Sequence, residues 1–307
     1  MKEDSLVRVE NLSHRYSVQW AVKDISFEIP EKGIYGLLGS NGAGKSTTMN
    51  IMSGVLKQSQ GNIFIKGINM SLDPIGAKKQ IGFLPQKPPL YLDTTVEEYL
   101  TNCAHLRMIA SKDVKGAVEE VMEKCKITHF RKRLIKNLSG GYQQRVGIAQ
   151  AIIHKPALII LDEPTNGLDP NQILEIRKLI KEIAEDRVVL LSTHMLTEVH
   201  AICDYILMIE QGKVVFSGKT EEFDNYLAPS TIFVKLLEMP SVEELMKIEG
   251  IESVEALGAA DYRLKFAVLD GAVQRIVSDS VKYNWNLGEI YPEKNSLNDV
   301  FSALSKN

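Results

Sequence analysis

The stretch GIYGLLGSNGAGKSTTMNIMSGVL, residues 33–56, passes from a nearly unbroken apolar run through clustered glycines into a helical pattern. A run like GIYGLLG belongs to a strand covered on both faces, and KSTTMNIMSGVL reads as the helix that follows it. Between them Gly39, Gly44, Lys45 and Ser46 satisfy the spacing GxxxxGKS/T, in the strand–loop–helix setting that a phosphate-binding loop requires. A helix entrance attracts anions through its free N–H groups and its dipole. Glycines let the loop curl until successive N–H groups face the phosphates, and a side chain at Gly44 would crowd that nest. Gly39, Ser40, Asn41, Gly42, Ala43, Gly44, Lys45, Ser46 and Thr47 are therefore expected to cradle a nucleoside triphosphate. Lys45 supplies a point charge for the outer phosphates, and the Ser46 hydroxyl is placed to ligate Mg2+.

Triphosphate chemistry also needs acids near the metal and near an attacking water. LIILDEP, residues 158–164, delivers Asp162 and Glu163 to the carboxyl end of a second buried strand. That is the edge of an α/β sheet where ligands bind. Asp162 is expected to hold Mg2+ through water, and Glu163 to act as general base. LSTH, residues 191–194, ends a third buried strand, placing His194 to orient the water or sense the γ-phosphate. Gln86 closes IGFLPQ and is similarly placed to meet Mg2+ or water and to report nucleotide state to the segment that follows.

Working outward, LVRVENL and VKDISFEI alternate like half-buried antiparallel strands, and GNIFIKG and QIGFLPQ add further strands. Residues 95–136 are helix-rich and are expected to form a lobe of their own, with a helical subdomain over about 90–155. Strands alternating with helices imply a largely parallel sheet. After Gly218 the texture changes to strand, helix, strand, strand, helix, strand, closed by the amphipathic SLNDVFSAL. That order predicts a ferredoxin-like α+β module. The expected division is 1–218 for the domain that carries these motifs and 219–307 for an accessory or regulatory domain.

A second glycine-rich helix start, LSGGYQQR at 138–145, poses a question, because Ser139, Gly140 and Gly141 would form another anion receptor. Either both receptors grip one nucleotide within a chain, or the second serves a nucleotide held by a neighbour. Taken together, these motifs closely resemble the ATP-binding subunit of ABC transporters. The resemblance covers roughly residues 5–218 and runs in the family's order. Tyr16 stands where an aromatic stacks on adenine, GSNGAGKST as Walker A, Gln86 as the Q-loop and LSGGYQQR as the signature. LIILDEP stands as Walker B, GLDP at 167–170 as the D-loop, and His194 as the switch histidine.

The resemblance implies a P-loop NTPase of ABC type, with a mixed sheet core, an antiparallel β subdomain and a helical subdomain. It implies that ATP is hydrolysed to ADP and phosphate with Mg2+ as cofactor. It further implies a head-to-tail dimer in which each signature faces the other chain's P-loop. The mate is a second copy or a paralogue. Trp20 rivals Tyr16 for the base, and either aromatic can simply be packed core. Asp169 reads as a helix N-terminal residue ahead of Pro170, and in the family it also lies at the dimer seam.

The 307 residues, 44% of them hydrophobic, suffice for one full domain and a smaller one, and a net charge of −3 gives no general reason to expect nucleic acid. Three scattered cysteines form no metal or disulfide pattern. No apolar run reaches the roughly 20 residues needed to span a bilayer, and MKEDSLVRVE lacks a signal peptide's apolar core. Transport then requires separate integral membrane permease subunits, with the ATPase at the cytoplasmic face of the membrane. The single ATPase domain with a short α/β appendix resembles ATPases paired with ABC type 2 exporter permeases. The alternatives are a non-transport ABC ATPase of DNA repair, chromosome organisation or translation, and a module that holds ATP without turnover. Absence of heptad arms and tandem domains argues against the first, and Glu163 with His194 against the second.

Overall fold

A computed structural model describes residues 5–227, 230–293 and 297–306. Residues 1–4 and Ser296, which begin two of the stretches read above, lie outside them. The chain divides into two units, Met1–Thr220 and Glu221–Asn307.

In the first unit the alternating runs pair as an antiparallel sheet. β1 (Val7–Tyr16) lies between β2 (Gln19–Ile29) and β4 (Gln60–Ile65), and β5 (Ile68–Asn69) closes one edge. Alternation buries Val7 and Val9 but slips before Leu12, where the register shifts. At the slip Asn11 (φ 48°) and Asp24 (φ 54°) both turn left-handed, which Asn and Asp tolerate, and the Asn11 amide donates to the Asp24 carboxylate at 2.9 Å.

The apolar runs build the second sheet, in the order β10-β9-β3-β8-β7-β6. β3 (Gly33–Leu38), β6 (Ile81–Leu84), β7 (Leu158–Asp162), β8 (Val188–Ser192) and β9 (Tyr205–Glu210) are parallel, and β10 (Lys213–Lys219) returns antiparallel beside β9. Its helices are α1 (Lys45–Met52), α2 (Pro74–Lys79), α3 (Val96–Leu106), α4 (Ser111–Lys124), α5 (Gly140–Ile152), α6 (Pro170–Ala184) and α7 (Leu196–Ile202). One apolar cluster joins Val9, Ile25 and Ile63 of the antiparallel sheet to Leu37, Ile160 and Leu190 of the parallel one, with Met49 and Met52 of α1 in it. α3, α4 and α5 pack together as the helical lobe. α3 starts at a reciprocal cap between Thr95 and Glu98, whose backbone bonds hold the Glu98 carboxyl below its usual range. Because β3, β7 and β8 run parallel, their carboxyl ends bring the glycine loop, Asp162 with Glu163, and Ser192 to one edge.

The second unit begins within α8 (Thr220–Asp224). It contains β11 (Thr231–Leu236), α9 (Val242–Leu245), β12 (Ile251–Ala256), β13 (Asp261–Phe266), α10 (Ala272–Lys282), β14 (Leu287–Glu293) and the closing helix α11 (Leu297–Lys306). The strands order as β12-β13-β11-β14, every pair antiparallel, which is the ferredoxin-like arrangement. Its core gathers Ile232, Val234, Leu264, Phe266, Ile276 and Trp285. Among the described residues no helix is long and apolar enough to cross a membrane.

Candidate nucleotide-binding site

The turn from β3 into α1 is shaped by glycines at positive φ. A Cβ on Gly39 (φ 147°) would sit 2.0 Å from the Ile209 carbonyl oxygen, and one on Gly44 (φ 109°) 2.6 Å from that of Ala21. Gly44 is thus required by backbone conformation and by its neighbour strand as much as by room for a ligand. The loop encloses a pocket of about 250 Å³, lined by Ala21, Asn41, Gly42, Gly44, Lys45, Ser46 and Thr47, and by Gln86, Asp162 and Glu163. Ala43 is buried beneath the loop, 2% exposed.

Lys45 folds back on its own loop, donating to the carbonyls of Gly39 at 2.8 Å and Ser40 at 2.9 Å. Burial pulls its ammonium below the ordinary range, against the upward pull of Glu163, Glu210 and Asp162. Asp162 is pushed the other way. Burial and the nearby Glu163 raise its carboxyl, while a hydrogen bond from the Ser192 hydroxyl to Oδ1 at 2.5 Å and the charge of Lys45 hold it down.

Of the two acids that line the pocket, Glu163 has the more side-chain partners. Gln86 Nε2 and Asn166 Nδ2 each donate to its Oε2 at 3.0 Å, and His194 Nδ1 lies 2.9 Å from its Oε1. Its backbone N–H donates to Ser192 Oγ at 3.1 Å, and its φ is 47°. That strained conformation, just past the end of β7, lets adjacent Asp162 and Glu163 both face the pocket. Behind His194, Thr193 donates to Glu198, which is 1% exposed.

The other expected residues stand apart from this pocket. Ser139 occupies the N-cap position of α5, but its side chain makes no capping bond, so the entrance is formed by backbone alone. A Cβ on Gly141 would meet Gln172 Oε1 at 2.5 Å, whereas one on Gly140 meets nothing within 4 Å. Asp169 caps α6, accepting from Gln172 N at 3.0 Å, which is the helix N-terminal role read from Pro170. Tyr16 and Trp20 are both exposed near the β1–β2 turn. Tyr16 makes an edge contact with His14, and the Arg15 guanidinium lies 5.8 Å from the Trp20 ring.

The sequence places Ser192 at this edge, at the end of LSTH, without giving it a role, whereas Asn166 and Glu210 were not read from sequence. Ser192 and Glu210 end buried strands with a polar residue, the same signal that marked Asp162, whereas nothing local marks Asn166.

Among the described residues no cluster of three or more His, Cys, Asp or Glu could hold a metal by itself. The oxygen donors at the pocket, the Ser46 hydroxyl, the Gln86 amide oxygen and the Asp162 carboxylate, suit a hard cation that brings phosphate and water ligands with it.

The family model described as "ABC transporter" matches residues 22–166. The linearmycin resistance ATP-binding protein LnrL of Bacillus subtilis is 30% identical over 305 residues, 98% of each chain. The lipopolysaccharide export system ATP-binding protein LptB of Haemophilus influenzae is 35% identical over 72% of this chain and 93% of its own. A solved dimeric ATP-binding cassette, in a post-hydrolysis state bound to ADP and Pi, superimposes with a TM-score of 0.62 at 26% identity, covering 69% of this chain and 98% of its own.

Proposed function

The chain belongs to the ATP-binding subunits of ABC transporters, and from that membership we propose that it works as a head-to-tail dimer, closed by ATP, that drives a separate membrane permease in export. Proteins of this family couple ATP hydrolysis to transport. The observation that carries the residue roles is the convergence of Gln86, Asn166 and His194 on the Glu163 carboxylate at the mouth of the glycine-loop pocket.

In this reading the loop amides and Lys45 bind the phosphates, Lys45 exchanging the Gly39 and Ser40 carbonyls for phosphate oxygens. Glu163 takes the proton from the attacking water. His194 and Gln86 fix the carboxylate's orientation, and His194 meets the γ-phosphate. Ser46, Gln86 and Asp162 would hold Mg2+, which neutralises charge on the phosphate oxygens. Tyr16 stacks on adenine. Ser139, Gly140 and Gly141 serve the mate's nucleotide, and Asp169 lies near the seam. The mate is a second copy or a paralogue.

Export is supported by the relative named for lipopolysaccharide export, and a permease by the transporter family itself. The subunit then sits at the cytoplasmic face of the membrane through that permease. The boundary near residue 218 separates the ATPase from an accessory domain, and the match to LnrL runs through both parts of the chain.

Glu163→Gln keeps the side chain's shape but removes the base. Hydrolysis is expected to fall by about two to four orders of magnitude with ATP binding retained. A near-normal steady-state rate would remove Glu163 from the role. Co-purification of the chain with a polytopic membrane protein tests the transport assignment.

A further inference from the structure

The hairpin turn between β9 and β10 braces the glycine loop at three successive points. The Ile209 carbonyl oxygen abuts Gly39 so closely that no Cβ fits between them. The Gly212 N–H donates to the Ala43 carbonyl at 2.9 Å. Between these, Glu210 presents its carboxylate to Ser40, accepting the backbone N–H through Oε2 at 3.1 Å and the hydroxyl through Oε1 at 2.5 Å. The same turn is tied to β2, because the Lys23 N–H donates to the Gly212 carbonyl at 2.8 Å.

Glu210 is only 9% exposed and does not line the pocket, so it cannot serve as a phosphate or metal ligand there. A carboxylate withdrawn from water needs partners, and its two bonds both go to one loop residue. A nest of N–H groups aimed at one point is an arrangement of like dipole ends. Left without support it relaxes, and nucleotide binding must then reorder it at a cost in affinity.

We propose that Glu210 is a positioning residue for nucleotide binding, holding Ser40 from behind so that the glycine loop is already open to the phosphates. The inference rests on the reading of that loop as the ATP site. The charge of Glu210 opposes an incoming triphosphate but also favours the charged form of Lys45, so its effects through space run in opposite directions, and the support of the loop's shape is assigned to the two hydrogen bonds. Those bonds and the charge can be separated by substitution. A glutamine at 210 keeps a carbonyl oxygen for the Ser40 N–H and an amide to donate to the hydroxyl oxygen, whereas alanine keeps neither.

The test is calorimetric titration of the full chain with MgATP, with kcat and KM measured on the same preparations. Glu210→Ala is expected to weaken binding about 10- to 100-fold, the range of lost hydrogen bonds to a charged group, with KM rising more than kcat falls. Glu210→Gln should stay within about threefold of the wild type, and Ser40→Ala, which removes one of the two bonds, should fall between. Should Glu210→Ala not fold, Glu210→Gln and Ser40→Ala decide the matter. Wild-type affinity in Glu210→Ala and Ser40→Ala, or a glutamine variant as weak as alanine, would overturn the inference while leaving the ATP site intact. No binding by the wild-type protein would overturn both.

Discussion

His154 stands at the end of the lobe that carries the signature stretch, and its chemistry is set by one carbonyl. Its Nε2 lies 3.0 Å from the Ile81 oxygen, which Arg107 also contacts, and its buried Nδ1 has no hydrogen-bond partner among the described residues. A second proton would create an N–H with nothing to receive it beside a guanidinium. Burial first, and then Arg107, accordingly lower its pKa to about 4, from 6.5. Folded His154 therefore stays neutral while the unfolded chain takes up a proton as pH falls through 6.5. Stability is thus lost between pH 6.5 and 4, by about 2–3 kcal/mol from this group. His154→Gln, which can still donate to Ile81, should flatten that limb in denaturant titrations across the range. An unchanged slope would place the acid sensitivity elsewhere. Residues of this kind show how far sequence reading reached. Asp162, Glu163 and His194 were legible because a polar residue after a buried apolar run must face the carboxyl edge. Glu210 meets its partner only through folding, since the Ser40–Glu210 pair is 170 residues apart in the chain, whereas Asn166 bonds Glu163 three residues before it, across a turn that its residue type does not mark.

At the scale of elements, the signature helix α5 is fastened to the strand that leads to Gln86. A Cβ on Gly82 of β6 would lie 2.0 Å from the Ala151 carbonyl oxygen, and one on Gly147 would lie 2.7 Å from Leu84 Cδ1. That close approach lets Gln150 donate to the Phe83 carbonyl at 2.8 Å. Farther toward the entrance of α5, Gln144 donates to the Pro164 carbonyl at 2.9 Å, and Arg145 binds the Cys125 carbonyl and Glu175. These bonds join α5 to the residue after Glu163 and to the strand that leads to Gln86. Gly82→Ala forces a methyl against backbone rather than a yielding side chain, so it should destabilise the first unit by about 1–3 kcal/mol. A denaturation midpoint equal to that of the wild type would show that α5 rides loosely on β6. β3, β7 and β8 were legible as strands because both faces are covered and their runs are continuous. The β9–β10 hairpin went unread, since its importance lies in which strand it adjoins. α9 is shorter than the stretch SVEELMKIEG suggested, ending after Leu245, while Ile248 still reaches the core from the following turn.

For the whole molecule, the decisive question is where the α5 entrance finds its anion. Ser139, Gly140 and Gly141 do not line the pocket of their own chain, so a single chain gives the second receptor nothing to bind there. Packing against Gln172 accounts for Gly141, but among the described residues no neighbour accounts for Gly140. A surface glycine kept clear within the protomer is what a mate's phosphates would require. Complementation can test this. Lys45→Ala disables the loop, and Gly140→Asp sets a negative charge where the partner's phosphate would lie, while an acid in the first turn suits its own helix. Each variant alone should be inactive. In a mixed dimer, one site combines both lesions and the other combines an intact loop with an intact signature. Equal mixing makes half the dimers mixed with one good site of two, so about a quarter of wild-type activity should return. If each chain instead used its own signature, every site would carry a lesion and mixing would restore nothing.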